Sequence, residues 1–230
     1  AVTFNTSSTS NISNSTTVHA NGFNVGSMSG VGTINSTGAS FAGVSGATNL
    51  NIAQSGSASQ TVTNIAGNLT FAGTLSIDAV GIEVAAEGKD ALDLNDTLTG
   101  SRLSVGGTAN LTGATVNMRV TGDTFIDEGD EFVFLDAASL TSDASRATDN
   151  SALLAFDIEQ RGNTLVAIAA QGDATEVLDQ LVGGDAANIQ QVGTAINELN
   201  EALGAGDIDL DSELGEMVAD LQAVGEDEFV

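Results

Sequence analysis

The sequence predicts a mainly β fold: a right-handed parallel β-helix (β-solenoid) ending in a capping β region and a short α-helical segment. Three observations predict it. Short apolar-polar-apolar stretches recur between Gly and Asn punctuation, and alternation at a period of two marks a strand with one face turned inward. No Asp, Glu, Lys or Arg occurs from Ala1 to Ile77, where Ser, Thr, Asn, Gly, Ala and small aliphatics carry the chain. The 230 residues contain no proline, as expected where strands have hydrogen-bonded neighbours on both sides and a missing N–H would break a ladder.

In the neutral zone the alternation is carried by Leu50-Asn51-Ile52, Val62-Thr63-Asn64-Ile65 and Leu69-Thr70-Phe71. A disordered Ser/Thr/Asn tract is the competing reading, but disordered segments are rich in Pro, Glu and Lys, which this zone lacks. The pattern strengthens in Leu75-Ser76-Ile77, Ile82-Glu83-Val84, Leu92-Asp93-Leu94, Leu103-Ser104-Val105 and Val116-Asn117-Met118-Arg119-Val120. Hairpin turns of the Asn-Gly type are too few for an ordinary sandwich, with Asn21-Gly22 and Gly122-Asp123 the nearest approaches. Coils of about 20 to 25 residues stacked at ~4.8 Å fit better, because Asn, Ser and Thr can then form ladders with like residues one coil away.

The later strands are heavier. Glu131-Phe132-Val133-Phe134-Leu135, Leu153-Leu154-Ala155-Phe156-Asp157-Ile158 and Thr164-Leu165-Val166-Ala167-Ile168 are suited to close the last exposed apolar coil. Arg161-Gly162-Asn163 reads as the hairpin connection between the last two. From Asp173 the period changes to about 3.6. Asp173-Ala174-Thr175-Glu176 is a capping box ahead of Val177, Leu178, Leu181 and Val182. A second helix carries Ile189, Val192, Ile196, Leu199 and Leu203 along one face, and a third starts near Asp211-Ser212 with Leu214, Met217, Val218, Leu221 and Val224. The expected parts are therefore 1–121 (neutral solenoid), 122–172 (terminal β coils and cap) and 173–230 (acidic helical segment).

Asp and Glu number 31 against 5 Lys and Arg, a formal charge of -26. Residues Asp78 to Gly172 hold 16 acids and all five bases, Lys89, Arg102, Arg119, Arg146 and Arg161; Asp173 to Val230 hold 15 acids and no base. Such a chain repels polyanions, so nucleic acid and anionic membrane are not expected partners. No run approaches the roughly 18 apolar residues of a membrane span. Ala1-Val2-Thr3 lacks the basic and apolar regions of a signal peptide, so an exported chain is expected to be numbered from its cleaved end. Cys and Tyr are absent and His19 is the single histidine, which leaves little of the usual catalytic repertoire.

The run Gly122-Asp123-Thr124-Phe125, then Gly129-Asp130-Glu131-Phe132-Val133-Phe134-Leu135-Asp136-Ala137, Leu140, Ser151-Ala152-Leu153-Leu154-Ala155-Phe156 and Gly162-Asn163-Thr164-Leu165 resembles the C-terminal passenger region of bacterial autotransporter (type V secretion) surface proteins. Glu176 to Leu203 is similar to the Ala/Leu-rich helical segment that commonly follows. The resemblance covers roughly residues 68 to 224 and rests on spacing rather than on invariant chemistry. It implies a secreted location at the bacterial cell surface and terminal coils that help the passenger fold during export. In that family a membrane β-barrel follows; here either the chain is cut near Val230 or it uses passenger architecture without its own barrel.

Candidate chemistry is sparse. His19 has no acid within 58 residues, and Gly26-Ser27-Met28-Ser29-Gly30 has Met where a nucleophile elbow needs Ser; no catalytic residue is assigned. Asp123, Asp127, Glu128, Asp130 and Glu131, with Arg119 nearby, are the densest acids. They read as a solvated turn, or alternatively as the carboxylates of a polysaccharide-acting β-helix enzyme. Asp207-Ile208-Asp209-Leu210-Asp211-Ser212-Glu213 opens like a calcium loop but has Ser212 where Gly is required and Val218 where a bidentate Glu belongs. A looser calcium site at Asp207, Asp209, Asp211 and Glu213 stays open beside the alternative that Asp211 caps a helix. Sequons at Asn5, Asn11, Asn14, Asn35, Asn68, Asn95 and Asn110 are read as solenoid composition. The expected function is non-enzymatic: a structural or adhesive extracellular protein, self-associating head-to-tail into a filament or matrix, with a surface or glycan ligand as a further partner and no cofactor other than calcium.

Overall fold

The computed structural model describes residues 2–4, 12–13, 17–22, 24–55, 60–80, 99–121, 126–145, 147–151, 153–175, 178, 187–209 and 212–223. Within them the chain is mainly β, with parallel sheets and two short helices. One sheet sets β1 (Val2–Phe4), β3 (Thr17–Asn21), β6 (Thr33–Thr37), β9 (Asn49–Ile52), β12 (Thr74–Val80), β15 (Thr115–Val120) and β17 (Thr148–Asp149) side by side and parallel, and β13 (Thr99–Gly100) runs antiparallel to β12. The other sheet orders β2 (Ile12–Ser13), β5 (Met28–Ser29), β8 (Val44–Ser45), β11 (Leu69–Thr70), β14 (Arg102–Asn110) and β16 (Glu131–Thr141). A second row of β4 (Asn24–Val25), β7 (Ser40–Phe41) and β10 (Val62–Ile65) also joins β14. The strands Ile82-Glu83-Val84 and Leu92-Asp93-Leu94, expected from the alternation, lie outside the described residues.

The chain visits the two sheets in turn and returns to the same strand position. Val2 pairs with Val18, Val18 with Ile34 and Ile34 with Leu50, each return spanning 16 residues, the separation of the contacts His19–Asn35 and Asn35–Asn51. The longer circuits Leu50 to Leu75 and Leu75 to Val116 keep the register. The first circuits are thus shorter than the expected 20 to 25 residues. The cause is a pair of tight corners per circuit: Gly22, Gly30, Gly38 and Gly46 have φ of 65°, 61°, 66° and 63°, a region that costs other residues about 1 kcal/mol or more.

Pairing in register puts like residues above one another. Val18, Ile34, Leu50, Leu75 and Val116 form one buried column; Val25, Phe41, Ile65 and Val105 form a second, and Met28, Val44, Leu69, Ala109 and Leu140 a third. Each fully buried aliphatic contributes about 1.5 to 3 kcal/mol relative to exposure. Ser36 also points inward, and its hydroxyl meets that of Thr63 at 2.8 Å, so neither is left unsatisfied. On the outer face the expected polar ladder is present. Asn51 donates to Asn35 Oδ1 (2.7 Å), Asn35 meets His19 Nδ1 (3.3 Å) and Asn49 donates to Thr33 Oγ1 (3.3 Å).

At the far end the parallel pattern stops. β18 (Leu154–Arg161) and β19 (Thr164–Gln171) form an antiparallel hairpin through Gly162 (φ 64°), and β19 adds antiparallel to β16. Phe132, Phe134 and Phe156 sit buried there. Two helices follow, α1 (Ala187–Gly204) and α2 (Glu213–Ala223). The first expected helix falls largely on residues 176–186, outside the described ones, although Ala174, Thr175 and Leu178 are helical.

The inward face of α1 differs from the expected apolar step. Val192 is 53 % exposed, while Gly193, Asn200 and Leu203 are buried and Ile196 and Leu199 half-buried; the side chain of Ile189 lies outside the described residues. Gly193 explains the rotation, because a Cβ there would lie 2.7 Å from Thr175 Cα. On α2, Val218 and Ala219 are buried whereas Leu214 and Met217 are exposed.

Candidate functional site

The densest acids of the sequence occupy the turn that leads into β16. Asp127 N donates to Asp130 Oδ2 (3.0 Å) and Asp130 N to Asp127 O (3.1 Å), closing the turn through Gly129 at φ 92°. Gly129 N donates to Ala169 O (2.8 Å) and Ala169 N to Asp130 O (2.7 Å), which fixes the turn to β19. Beside it lies a cavity of about 520 Å³, lined by Asp127, Glu128 and Asp130 from the turn, Gln171 from β19, and Asn200 and Glu201 from α1. The carbonyl end of α1, at Gly204 and Ala205, also opens onto it. Carboxylates and the negative end of a helix dipole make this cavity unfavourable for an anion.

The expected companions of these acids are elsewhere. Glu131 is taken by Arg161, whose Nη1 and Nη2 reach its two oxygens at 2.8 and 2.7 Å. That bidentate hydrogen bond holds the Glu131 carboxyl below the usual carboxylate range, against a weaker desolvation effect, and pushes the Arg161 guanidinium up through its bonds to Glu131 and Glu159. Arg119 pairs with Asp78 at 2.6 Å, and Asp78 also accepts from Gln54 N at 2.7 Å. Arg119 Nε is buried without a hydrogen-bond partner. Asp123 lies outside the described residues. The structure therefore gathers Asp127, Glu128 and Asp130, removes Glu131 and Arg119 from the group, and adds Glu201, Asn200 and Gln171, which the sequence reading missed. The signal for Asn200 was available: Asn197 and Asn200, three apart in a helix, fall on the side of the apolar step.

In the loop between the helices, Asp207 N donates to Ala202 O (2.8 Å), and Asp209 O accepts from both Ser212 N and Ser212 Oγ. Ser212 Oγ then accepts from Gly215 N at 3.0 Å, so Ser212 caps α2. Asp211 lies outside the described residues, and Glu213 is exposed in the first turn of α2. Among the described residues no group of three or more His, Cys, Asp and Glu side chains is placed to hold a metal ion. His19 belongs to the outer ladder with Asn35. Of the sequons, Asn35 is in that ladder, Asn68 Oδ1 accepts from Thr108 N (2.9 Å) and Asn110 Oδ1 from Thr112 N (3.1 Å); Asn5, Asn11, Asn14 and Asn95 lie outside the described residues.

A second candidate surface is the outer face of the sheet containing β5, β8, β11, β14 and β16. Ser29, Ser45, Thr70, Asn110 and Thr141 stand in register, one per strand, and all are exposed. Small neutral groups repeated at the strand spacing form a flat face whose side chains have little rotamer entropy to lose.

No helix among the described residues is long and apolar enough to cross a membrane. The chain matches no protein-family model, no curated protein and no solved structure.

Proposed function

We propose that the chain is a non-enzymatic structural or adhesive protein of a bacterial surface, built as a right-handed β-solenoid and similar to an autotransporter passenger. The observation that carries this reading is the recurrence of one strand position, with Val, Ile or Leu inside and Thr, Asn or Ser outside, over successive parallel strands. Parallel crossovers in one sheet are right-handed in nearly all proteins, which supports the handedness. A stack of this kind spends its sequence on repeated faces rather than on one convergent site, which suits a spacer, a stalk or an adhesive surface. When copies meet head-to-tail, the neutral circuits of one receive the C-terminal cap or helices of the next, because no like-charge penalty opposes the contact there.

Sedimentation velocity and electron microscopy across protein, salt and calcium concentrations test the assembly. Oligomers or filaments are expected, and a monomer under every condition overturns this part. An antibody raised against the chain is expected to label the outside of intact source cells; label confined to the cell interior overturns the location.

One observation favours a second reading, a polysaccharide-acting enzyme: the cavity with Asp127, Glu128, Asp130 and Glu201 on its wall. Depolymerisation of a glycan that Glu128→Gln and Glu201→Gln both abolish establishes that reading and displaces the first.

A further inference from the structure

The helices are joined to the β region by neutral hydrogen bonds. Gln222, 1 % exposed on α2, accepts from Ile126 N (2.8 Å) and donates to Ile126 O (3.0 Å), so one amide clamps the backbone at the head of the acidic turn. The same Nε2 donates to Asn200 Oδ1 (3.1 Å), tying α2 to α1. Ser151 Oγ donates to Gln222 O at 2.6 Å. Within the segment Asn197 accepts from Ala174 N (3.0 Å) and donates to the Asp173 carboxylate (2.9 Å), and from the end of β19 Gln171 Nε2 reaches Asn197 O (3.4 Å). Arg102–Asp136, Arg119–Asp78 and Arg161 with Glu131 and Glu159 are ion pairs within the β region.

Charge opposes this docking. Residues 173–230 carry 15 acids and no base, and residues 122–172, on which the helices sit, carry 10 acids against Arg146 and Arg161. Two net-negative bodies therefore meet. Glu201 and the carbonyl end of α1 line the same cavity as Glu128, so negative groups of both bodies share it. Helices in proteins draw most of their stability from tertiary packing, and one of 11 residues is marginal alone, so helices that leave this surface are expected to lose helicity.

We propose that the helical segment is a salt-sensitive latch: the neutral clamp of Gln222, Ser151 and Asn200 holds it on the β end against like-charge repulsion, and lowering the ionic strength releases it while the circuits stay folded. The magnitude is set by screening. At 0.15 M salt the Debye length is about 8 Å and confines the repulsion to the interface, whereas at 0.01 M it is about 30 Å and carboxylates of the described helices beyond the interface act on the β end as well. Leu153 and Leu154 on the β end and Leu203 on α1 are now buried, and release is expected to expose those that the contact covers, which couples the ionic environment to exposure of an apolar surface.

Hydrogen–deuterium exchange of the full chain at 10 and 150 mM NaCl tests the latch. Residues 187–204 and 213–223 are expected to lose about tenfold or more of their protection at low salt, while residues 33–52 keep theirs. Gln222→Glu, which removes the donor to Ile126 O and adds a charge, is expected to release the helices even at 150 mM. Glu201→Gln with Glu128→Gln is expected to lessen the loss of protection at 10 mM, because it removes one charge from each side of the shared cavity. Calcium chloride matched to sodium chloride in ionic strength is expected to act equally. Helices equally protected at both salt concentrations, circuits that lose protection together with the helices, or a calcium effect well below screening concentrations each overturn the proposal. None of these outcomes depends on whether the protein assembles or adheres.

Discussion

At the scale of single residues, the clearest constraints are places where only a hydrogen atom fits. A Cβ on Gly73 would overlap the Thr48 carbonyl oxygen, which accepts from Thr74 N at 2.9 Å. Gly73→Ala must push β12 away from the preceding circuit, and the expected loss is about 3 kcal/mol, at the upper end for overpacking. Gly113 is the control: its φ is 78° but nothing lies within 4 Å of an added Cβ, so Gly113→Ala is expected to cost only about 1 kcal/mol, from the left-handed backbone alone. Urea titrations of the two variants check the difference, and equal midpoints would contradict the packing argument. Glu131 allows a test of sign. Its carboxyl is held below the usual range by Arg161, so its contribution is present above the unfolded carboxylate range and is lost as pH falls through its folded value. Both partners are exposed, which keeps that contribution small. Glu131→Gln is expected to reduce the slope of stability against pH below about pH 4 and to change little at neutral pH, as measured by thermal melts from pH 2 to 7.

At the scale of elements, the outer ladder tests whether Asn residues hold the circuits together or merely decorate them. Asn35 stands between His19 and Asn51, with bonds to both. Asn35→Ala breaks two side-chain bonds on a half-buried face, for an expected loss of about 1 to 2 kcal/mol, whereas Asn110→Ala, whose amide serves only the local Thr112 N–H, is expected to lose about half as much. Chemical denaturation of the two variants checks the ranking. Much of this level was legible in the sequence. Val-Asn-Met-Arg-Val at 116–120 alternates over enough residues to show its inward face, and Arg161-Gly162-Asn163 carries its turn type in its glycine. The circuit length was harder to read, because β4, β5, β7 and β8 are two residues long and a two-residue strand has no period. The available signal was the eight-residue spacing of Gly22, Gly30, Gly38 and Gly46. The inward face of α1 differs for another reason: an apolar count ranks Val192 above Gly193, yet Gly193, with no side chain, is the buried one and packs against Thr175. The cavity was half legible, since Asp127, Glu128 and Asp130 are adjacent in sequence while Glu201 reaches them only through a fold in which α1 docks on the β end.

At the scale of the whole molecule, the stack is one-dimensional. Among the described residues each strand of the first sheet pairs only with the circuit before it and the circuit after it, apart from the short β13, so stability passes from neighbour to neighbour. The two ends are unequal. The 16-residue circuits bury mostly Val and Ala, with Met28, Ile34 and Phe41 among them, whereas the far end buries Phe132, Phe134 and Phe156 beside an antiparallel hairpin. An early circuit alone leaves its apolar faces uncovered, so it is expected to stay folded only while the next one offers a template. Leu50, fully buried at the junction of the short and long circuits, is where this dependence is most exposed. Leu50→Asn removes a core side chain and leaves a buried amide without a designed partner, at a cost of about 3 kcal/mol or more. That is enough to unzip what lies before it without melting what lies after. Exchange and limited proteolysis of the variant are expected to show residues 17–52 unprotected and residues 102–120 and 131–171 still protected. A single cooperative loss across the whole chain would show instead that the circuits and the cap fold as one unit.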